Sequence, residues 1–244
     1  MIETMSSNAP IRFETHRLGN VYEDALITAF FGHRGSDRDA LSMAFPDFTL
    51  SSLKQTHSDS IVSAAAVIRS GEPVEADAQF TNEKRVALCI RTADCIPVLF
   101  HDPDSGIIAA VHAGWRGVAN GIVVKTGQLL KVKGSKLERA HAWIGPHITA
   151  KSFEVGDDVA AQLEASFDAV RGFSRETTAI VSQPLSAKKH VDLLRIVRAQ
   201  LFSLGISADR TLELSIDTPT SERHESFRRD RETGGRQISF IALK

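Results

Sequence analysis

One cysteine and two histidines stand in short segments whose residue types suit metal binding. His57 comes first along the chain, Cys95 follows in a mostly apolar segment, and His112 stands just before Gly114. Thiolate and imidazole are ligands that zinc takes in proteins, and three protein ligands leave its fourth position open for water or substrate. Open sites of this kind are catalytic, so these residues predict a metal-dependent enzyme.

Each of the three residues also has a simpler interpretation. Cys95 can be a packed core thiol, and His112, which follows an apolar run, can be a hydrogen-bonded core histidine. His57 taken alone is an ordinary loop histidine. Cys89 lies within a continuous apolar run and is interpreted as core. On the residues alone, both interpretations of the three candidate ligands stay open.

The remaining histidines are weaker candidates. His147 follows Gly145 and Pro146 and is a further candidate for lining the site. The others are interpreted as surface or packing residues: His16, His33, His101, His141, His190 and His224.

The composition is that of an ordinary globular protein. The 244 residues are 42% hydrophobic and 24% charged, with a formal net charge of −1. This balance gives no electrostatic reason to expect nucleic acid or a membrane as a partner. Two cysteines do not make a disulfide framework, which favours a cytoplasmic location. Residues 1–17 show no apolar signal-peptide core, and no apolar run is long enough to span a bilayer.

Short apolar runs bounded by turn residues predict a chain rich in strands. Two of these runs, 97–100 and 107–112, flank the turn-forming segment 102–106 and predict a hairpin. The other predicted strands are 25–31, 78–82, 86–90, 140–144, 179–182, 212–216 and 237–243. Segment 61–68 is compatible with a strand or a helix, and a strand is favoured.

Three helices are predicted, at 118–132, at 157–167 and at 190–204. In the last, apolar residues recur at spacings of three and four. Strands and helices are mixed without a regular βαβ repeat. This favours an α+β fold, an α/β sandwich of layers with mixed or antiparallel sheets. Nothing marks a boundary, so residues 1–244 are predicted to form one domain.

Five parts of the chain together resemble the laccase-domain (multicopper polyphenol oxidase) family, also called the YfiH family. The resemblance runs from about residue 30 to residue 243, and the order and spacing of the parts agree with the family. The parts are 54–57 (KQTH), 92–99 (TADCIPVL), 112–117 (HAGWRG), 144–146 with 153–156 (IGP and FEVG), and 226–230 with 235–236 (SFRRD and GR).

The resemblance implies that His57, Cys95 and His112 are the metal ligands and the catalytic centre. It implies a YfiH-like layered fold and zinc as the metal, with copper as the alternative because copper generally binds more tightly. The implied activity is phosphorolysis of adenosine, inosine and S-methyl-5′-thioadenosine, with hydrolytic deamination of adenosine. A small-molecule nucleoside and phosphate are then the partners, and the oligomeric state is left open.

Four arginines are candidates for binding substrate or phosphate, because a guanidinium group binds phosphate in a bidentate manner. Arg116 stands beside the start of a predicted helix, where an anion is also favoured. Arg228 and Arg229 belong to the last family segment, although a solvated charge cluster is an equal alternative for this pair. Arg34 occupies the place of a family arginine near the substrate.

The chain departs from the family pattern at three places. Residues 35–38 read GSDR where the family usually has Gly-Gly-Val-Ser, which weakens the prediction for Arg34. Many members have a cysteine at the position of Asp217, and a cysteine is also frequent at the position of Ser152. None of these departures removes a predicted metal ligand. Asp94, beside Cys95, is predicted to be a supporting or structural carboxylate, because adjacent strand residues point to opposite faces.

Other functions stay open. The family also implies amide hydrolysis that edits peptidoglycan precursors, served by the metal or by Cys95 and His112 as nucleophile and base. A copper-dependent polyphenol oxidase is disfavoured, because none of the nine histidines stands two residues from another. A non-catalytic metal-binding protein would keep the ligands and turn over no nucleoside.

Overall fold

Two six-stranded sheets pack face to face in the computed structural model, which describes residues 13–170, 172, 179–182 and 188–244. The prediction that residues 1–17 contain no signal peptide falls mostly on residues 1–12, which lie outside the described residues. In the part of the chain that is described, no helix is long and apolar enough to cross a membrane.

The described residues form strands throughout the chain, and a third, smaller sheet accompanies the two large ones. In chain order the strands are β1 (Glu14–His16), β2 (Gly19–Glu23), β3 (Ile27–Gly32), β4 (Thr49–Ser52), β5 (Ile61–Ser63), β6 (Ala78–Thr81), β7 (Val86–Thr92), β8 (Ile96–Asp102), β9 (Ile107–Ala113), β10 (His141–Ile144), β11 (Glu154–Val155), β12 (Val181–Ser182), β13 (Lys189–Val191), β14 (Thr211–Glu213) and β15 (Gln237–Leu243).

The α-helices of the described residues are mostly short. In chain order they are α1 (Arg38–Ala44), α2 (Ala64–Ser70), α3 (Trp115–Ala119), α4 (Ile122–Val132), α5 (Asp157–Asp168), α6 (Leu193–Ser203) and α7 (Phe227–Asp230). Side chains that accept a hydrogen bond from a backbone N–H begin several of them; Asp192 does so for α6.

Both large sheets mix parallel and antiparallel neighbours. The first has the order β1-β2-β3-β15-β7-β4, in which β4 alone pairs in parallel. The second has the order β14-β10-β8-β9-β6-β5, in which the two outer pairs are parallel. The small sheet has the order β11-β13-β12. The α+β fold with mixed sheets, predicted from the sequence, is confirmed.

Apolar side chains from both large sheets fill the layer between them. Phe31 and Leu88 from the first sheet lie in one buried cluster with Leu99 and Trp143 from the second. Burial of each such side chain contributes roughly 1.5–3 kcal/mol to stability. A larger core lies between the other face of the second sheet and helices α3 to α6. The layers are therefore sheet, sheet and helices.

Several predicted elements are confirmed. The hairpin joins β8 and β9, which pair antiparallel across the turn at Asp102–Gly106. The helix predicted at 157–167 is α5, and the strand predicted at 237–243 is β15. The prediction that residues 1–244 form one domain stays a prediction.

Two element predictions are wrong. Segment 61–68 was predicted as one strand, but Ser63 caps the N-terminus of α2 and ends β5 after three residues. Segment 118–132 was predicted as one helix, but it is divided between α3 and α4 at Gly121, which has a φ of 74°. A left-handed residue cannot continue an α-helix, and glycine adopts this conformation readily.

Candidate metal centre and its cavity

The structure brings His57, Cys95 and His112 together. The distance from Nε2 of His57 to Sγ of Cys95 is 3.8 Å. One ligand atom from each of the three residues lies within 4.8 Å of the others. Among the described residues this is the one group of histidine, cysteine or acidic side chains arranged to hold a metal ion.

Two of the predicted ligands stand at strand ends, and the third lies in a loop. His112 is the next-to-last residue of β9, and Cys95 immediately precedes β8. His57 lies in the loop after β4 with a φ of 59°, and Asp94 beside Cys95 has a φ of 82°. Such left-handed conformations are uncommon outside glycine and persist where the surrounding contacts hold them. Constrained turns thus place His57 and Cys95, and strand β9 places His112.

Asp77 is the central residue that the sequence did not reveal. Its buried carboxylate accepts hydrogen bonds from Nδ1 of His112 at 2.7 Å and from the backbone N–H of His57 at 3.0 Å. It also accepts from the backbone N–H groups of Thr56 and Ser58 and from the Ser58 hydroxyl. One carboxylate therefore joins the loop that carries His57 to the strand that carries His112.

The charges of these groups favour a thiolate at Cys95. Burial raises the pKa of the Cys95 thiol, but the neighbouring His112 and His57 outweigh burial and lower that pKa to about 6. Burial lowers the pKa of His112, but Cys95 and Asp77 outweigh it and raise that pKa to about 9. Burial raises the pKa of Asp77, yet its hydrogen bonds from His112 and Ser58 hold it below its usual range.

The donor set fits a zinc or copper ion. One thiolate and two imidazoles are suitable ligands for both metals. Asp77 accepts from Nδ1 of His112, which leaves Nε2 of that ring for a metal, and metal-binding histidines commonly have such a carboxylate partner. His57, Cys95 and His112 would hold the ion, and the other side of the group opens onto a cavity.

The absence of a side chain at Gly114 allows the backbone to lie close to the three candidate metal ligands. A Cβ atom added there would lie 2.9 Å from Cδ2 of His57 and 3.2 Å from Sγ of Cys95. It would also lie 3.6 Å from Cε1 of His112. The first two distances are tighter than ordinary van der Waals contact, so a side chain at this position must displace a ligand.

We expect a Gly114→Ala variant to lose metal affinity by about tenfold or more, because sub-ångström displacement of ligands weakens a metal site. Titration with zinc in the presence of a chromogenic chelator measures the affinity. The helical content should be that of the unchanged protein, since Gly114 precedes α3 in extended conformation. Unaltered zinc affinity would show that the backbone does not constrain the ligands here.

A cavity of about 760 Å³ opens beside the three ligands. This volume lies within the range of small-molecule sites. Six basic side chains line it, against two acidic ones, Asp94 and Glu154. The basic residues are Lys54, Arg91, Arg116, Arg228, Arg231 and Arg236, and the aromatic ones are Trp115, Phe153 and Phe227. The cavity therefore combines apolar surface with an excess of positive charge.

Two of the four predicted anion-binding arginines line the cavity. The guanidinium of Arg116 stacks on the Trp115 ring at 4.4 Å and makes no hydrogen bond or ion pair with the described residues. Arg228 donates to the carbonyl oxygens of Ser152 at 3.2 Å and Glu154 at 3.0 Å. A guanidinium has five N–H donors, so Arg228 keeps donors for an anion.

The other two predicted arginines are not brought to the cavity. Arg34 donates to Asp230 at 3.1 Å and lies 3.7 Å from Glu225. Arg229 donates to Asp230 and to four backbone carbonyl oxygens. Arg34 thereby joins the loop after β3 to the segment 217–230, and Arg229 connects that segment internally. Neither arginine is among the cavity-lining residues.

Asp94 supports the site through Arg228. Its carboxylate accepts from the Arg228 backbone N–H at 2.6 Å and from the Thr218 hydroxyl at 2.6 Å. The carboxylate thus ties the turn that carries Cys95 to the C-terminal segment. His147 lies outside the cavity: it is buried, and its Nδ1 donates to the Gly145 carbonyl at 2.7 Å.

Two of the departures from the family pattern contact each other. The Ser152 hydroxyl donates to Asp217 at 2.6 Å, and the Thr149 backbone N–H donates to the same carboxylate at 2.9 Å. The carbonyl of Ser152 is in turn a partner of Arg228. These two residues therefore hold the wall of the cavity and leave the three candidate metal ligands unchanged.

Buried His224, which packs against His33 beside Arg229, predicts a pH dependence of stability. Burial, followed by the neighbouring His33, Arg223 and Arg229, lowers the pKa of His224 to about 4. The unfolded chain takes up this proton near pH 6.5 and the folded chain does not, so stability falls as the pH drops from about 6.5 to 4. We expect this loss to reach up to about 3 kcal/mol.

The check is urea unfolding at several pH values for the unchanged protein and for His224→Gln. Acid-sensitive groups away from this pair act equally in both, so the difference between the two curves reports His224 and its interaction with His33. Parallel curves between pH 6.5 and 4 would contradict the prediction.

The layered α+β fold, with a Cys/His₂ group on the wall of a charged cavity, defines a protein with a candidate metal-dependent active site. The chain belongs to the laccase-domain (YfiH) family: the family model described as multi-copper polyphenol oxidoreductase laccase matches residues 35–244. The resemblance noted in the sequence is thereby confirmed.

Curated relatives cover most of the chain. A purine nucleoside phosphorylase of Deinococcus radiodurans is 36% identical over 206 residues, which are 84% of this chain and 73% of the relative. A purine nucleoside phosphorylase of Corynebacterium glutamicum is 35% identical over 193 residues, 78% of this chain and 73% of the relative.

Solved structures share the fold. The crystal structure of YlmD from Geobacillus stearothermophilus superposes with a TM-score of 0.82. The match covers 96% of this chain and 100% of that one, at 24% sequence identity. Identity at this level shows a common fold alone.

Proposed function

We propose that this protein is a zinc-dependent purine nucleoside phosphorylase that acts on adenosine, inosine and S-methyl-5′-thioadenosine. One observation carries the proposal: the Cys/His₂ group and the arginines Arg116 and Arg228 line a single cavity. Relatives at 32–36% identity that are named purine nucleoside phosphorylases support the choice of reaction.

Phosphorolysis transfers the ribose from the purine to phosphate. A phosphate oxygen forms a bond to the anomeric carbon, the bond from that carbon to the purine nitrogen breaks, and its electron pair leaves with the base, which takes up a proton. Positive charge develops at the anomeric carbon, so a phosphate held next to the ribose both attacks and stabilises that charge.

Arg116 and Arg228 are the proposed phosphate ligands. Stacking on Trp115 orients the Arg116 plane, and the two carbonyl partners of Arg228 orient the other. A guanidinium that is already held in place loses little rotamer freedom when it binds phosphate. The chain thereby positions phosphate before the nucleoside bond is broken.

His57, Cys95 and His112 are the proposed zinc ligands and catalytic residues. A zinc ion bound there supplies Lewis acidity and lowers the pKa of bound water to roughly 7. This chemistry also suits hydrolytic deamination of adenosine, in which water adds to the purine carbon that carries the amino group and ammonia leaves. Asp77 keeps the His112 ring in one orientation and its proton on Nδ1.

The two free cysteines are compatible with a reducing compartment, and we propose a cytoplasmic location. The proposed small-molecule partners are a nucleoside and phosphate.

The test is chromatography of products after zinc-loaded protein is incubated with adenosine, with and without phosphate. We expect adenine only when phosphate is present, and inosine in either condition from deamination. A Cys95→Ala variant should form neither product. Adenine formation that does not depend on phosphate would contradict phosphorolysis.

A parallel incubation with a chelator tests whether the reaction requires zinc. Removal of zinc should abolish both products if the metal is required. Absence of product from every nucleoside, together with retained zinc binding, would overturn the proposed reaction and favour hydrolysis of a cell-wall precursor amide or a binding role.

A further inference from the structure

The cavity holds more positive charge than one phosphate ion requires. Arg116 and Arg228 can together neutralise a phosphate dianion beside the candidate metal ligands. Three further guanidinium groups line the same cavity, those of Arg91, Arg231 and Arg236. None of these three forms an ion pair with a described carboxylate. The formal net charge of the whole chain is −1, so this cluster is a local feature.

Arg91 and Arg236 lie on neighbouring strand ends. Arg91 is the next-to-last residue of β7, and Arg236 immediately precedes β15. In the antiparallel register of these strands Gln237 pairs with Thr92 and Ile238 with Arg91, which places the two arginine backbones close together. Neither guanidinium group is neutralised by a described carboxylate, so an anion bound between them would lower their mutual repulsion.

The backbone around Arg91 is held by Gln55, whose side chain also lines the cavity. Its amide donates to the Arg91 carbonyl at 2.8 Å and accepts from the Arg91 N–H at 2.7 Å. Gln55 stands two residues before His57 in the same loop. The Arg91 backbone is therefore joined to the loop that carries His57.

The loop after α7 holds the other two arginines. Arg231 is a non-glycine residue with a φ of 51°, an uncommon backbone conformation that persists where contacts impose it. Arg236 donates to the carbonyl oxygens of Gly234 and Gly235, and its guanidinium stacks over Phe227 at 5.6 Å. The loop thus carries two cations of the cavity, and the guanidinium of Arg236 is held in place.

Phe227 adds an aromatic face beside these cations. Phe227 is 43% exposed and lines the cavity. An exposed ring next to guanidinium groups suits a ligand with an aromatic base and an anionic group. Inorganic phosphate alone would leave this ring unused.

We propose that Arg91, Arg231 and Arg236 form a second anion site, and that the cavity takes a nucleoside carrying its own phosphate group. The phosphate of this nucleotide is bound by the three arginines, while Arg116 and Arg228 stay available to a separate phosphate ion. The inference deepens the proposed function in its choice of ligand, but binding of a nucleotide does not require turnover.

The experiment compares adenosine 5′-monophosphate with adenosine as ligands of the zinc-loaded full-length protein, by isothermal titration at low ionic strength. We expect the nucleotide to bind about tenfold or more tightly than the nucleoside, because charge-assisted hydrogen bonds are added. Equal affinities would overturn the second site. Because no turnover is measured, failed phosphorolysis would count against the proposed function and leave this result standing.

A double variant, Arg231→Gln with Arg236→Gln, tests whether these arginines bind the phosphate group of the nucleotide. It should lose about tenfold in affinity for the nucleotide and keep its affinity for adenosine within about twofold. The matched control is Arg69→Gln, an exposed arginine outside the cavity, which should change neither value. An equal loss for both ligands in the double variant would contradict a site specific for the phosphate group.

Saturating inorganic phosphate separates the two anion sites. The nucleotide should still bind when phosphate fills the site at Arg116 and Arg228. Displacement of the nucleotide by inorganic phosphate with the affinity of the phosphate cosubstrate would show one shared anion site and overturn the inference.

Discussion

A Cys95→Ala variant should lose its bound metal and its nucleoside turnover together. Cys95 supplies the thiolate of the proposed ligand set, and its pKa of about 6 keeps that thiolate populated at neutral pH. Two histidines alone leave a weak site, so the loss of zinc affinity should exceed the roughly 10- to 100-fold that loss of a supporting partner costs. Zinc content by atomic spectroscopy and product chromatography measure the two effects.

Cys89→Ala is the matched control. Burial raises the pKa of the Cys89 thiol to about 12, and the residue lies within β7 away from the cavity. We expect this variant to lose only about 1 kcal/mol of stability and to keep metal and activity. An active Cys95→Ala variant without zinc would exclude a catalytic role for the metal, and loss of zinc from Cys89→Ala would show that the wrong cysteine was assigned.

Asp77→Asn should lower the metal affinity although no candidate metal ligand is substituted. The carboxylate accepts from Nδ1 of His112 and from three successive backbone N–H groups, at Thr56, His57 and Ser58. An asparagine presents an NH₂ group to some of these donors and leaves them unpaired. We expect zinc affinity to fall by about 10- to 100-fold and the free energy of unfolding to fall by about 3 kcal/mol.

Asp102→Asn separates the two effects. Asp102 is equally buried and accepts from the backbone N–H groups of Asp104 and Lys136 and from the Ser105 hydroxyl, but it lies outside the cavity. We expect a similar loss of stability with unchanged zinc affinity, as measured by urea unfolding and chelator competition. If both variants lose zinc equally, the effect of Asp77 is on folding and not on the ligands.

Much of the fold and the three candidate ligands could be predicted from local patterns. Apolar runs with turn residues at their ends identified the β8–β9 hairpin and β15, since strand formation and turn chemistry depend on neighbours in sequence. Residue type made Cys95, His57 and His112 candidates, because few side chains bind zinc, and the family resemblance favoured ligands over core or loop residues.

The remaining parts of the site depend on segments that are distant in the chain. Asp77 is separated from His112 by 35 residues, and nothing in its local sequence distinguishes it from a surface acid. Arg91 and Arg236 were not predicted, whereas Arg34 and Arg229 were, because motif position does not say which way a guanidinium group points. Here Asp230 and nearby carbonyl oxygens accept hydrogen bonds from Arg34 and Arg229, and these two guanidinium groups do not line the cavity.

The residue types and spacings of this sequence determined its layered α+β class, its family and the ligands available to a metal. The tertiary structure decided which carboxylate supports those ligands and which cations meet in one cavity. The physical reason is that periodicity and turn preference act between near neighbours, whereas the partner of a charged side chain is set by the packing of sheets and loops that are far apart in sequence.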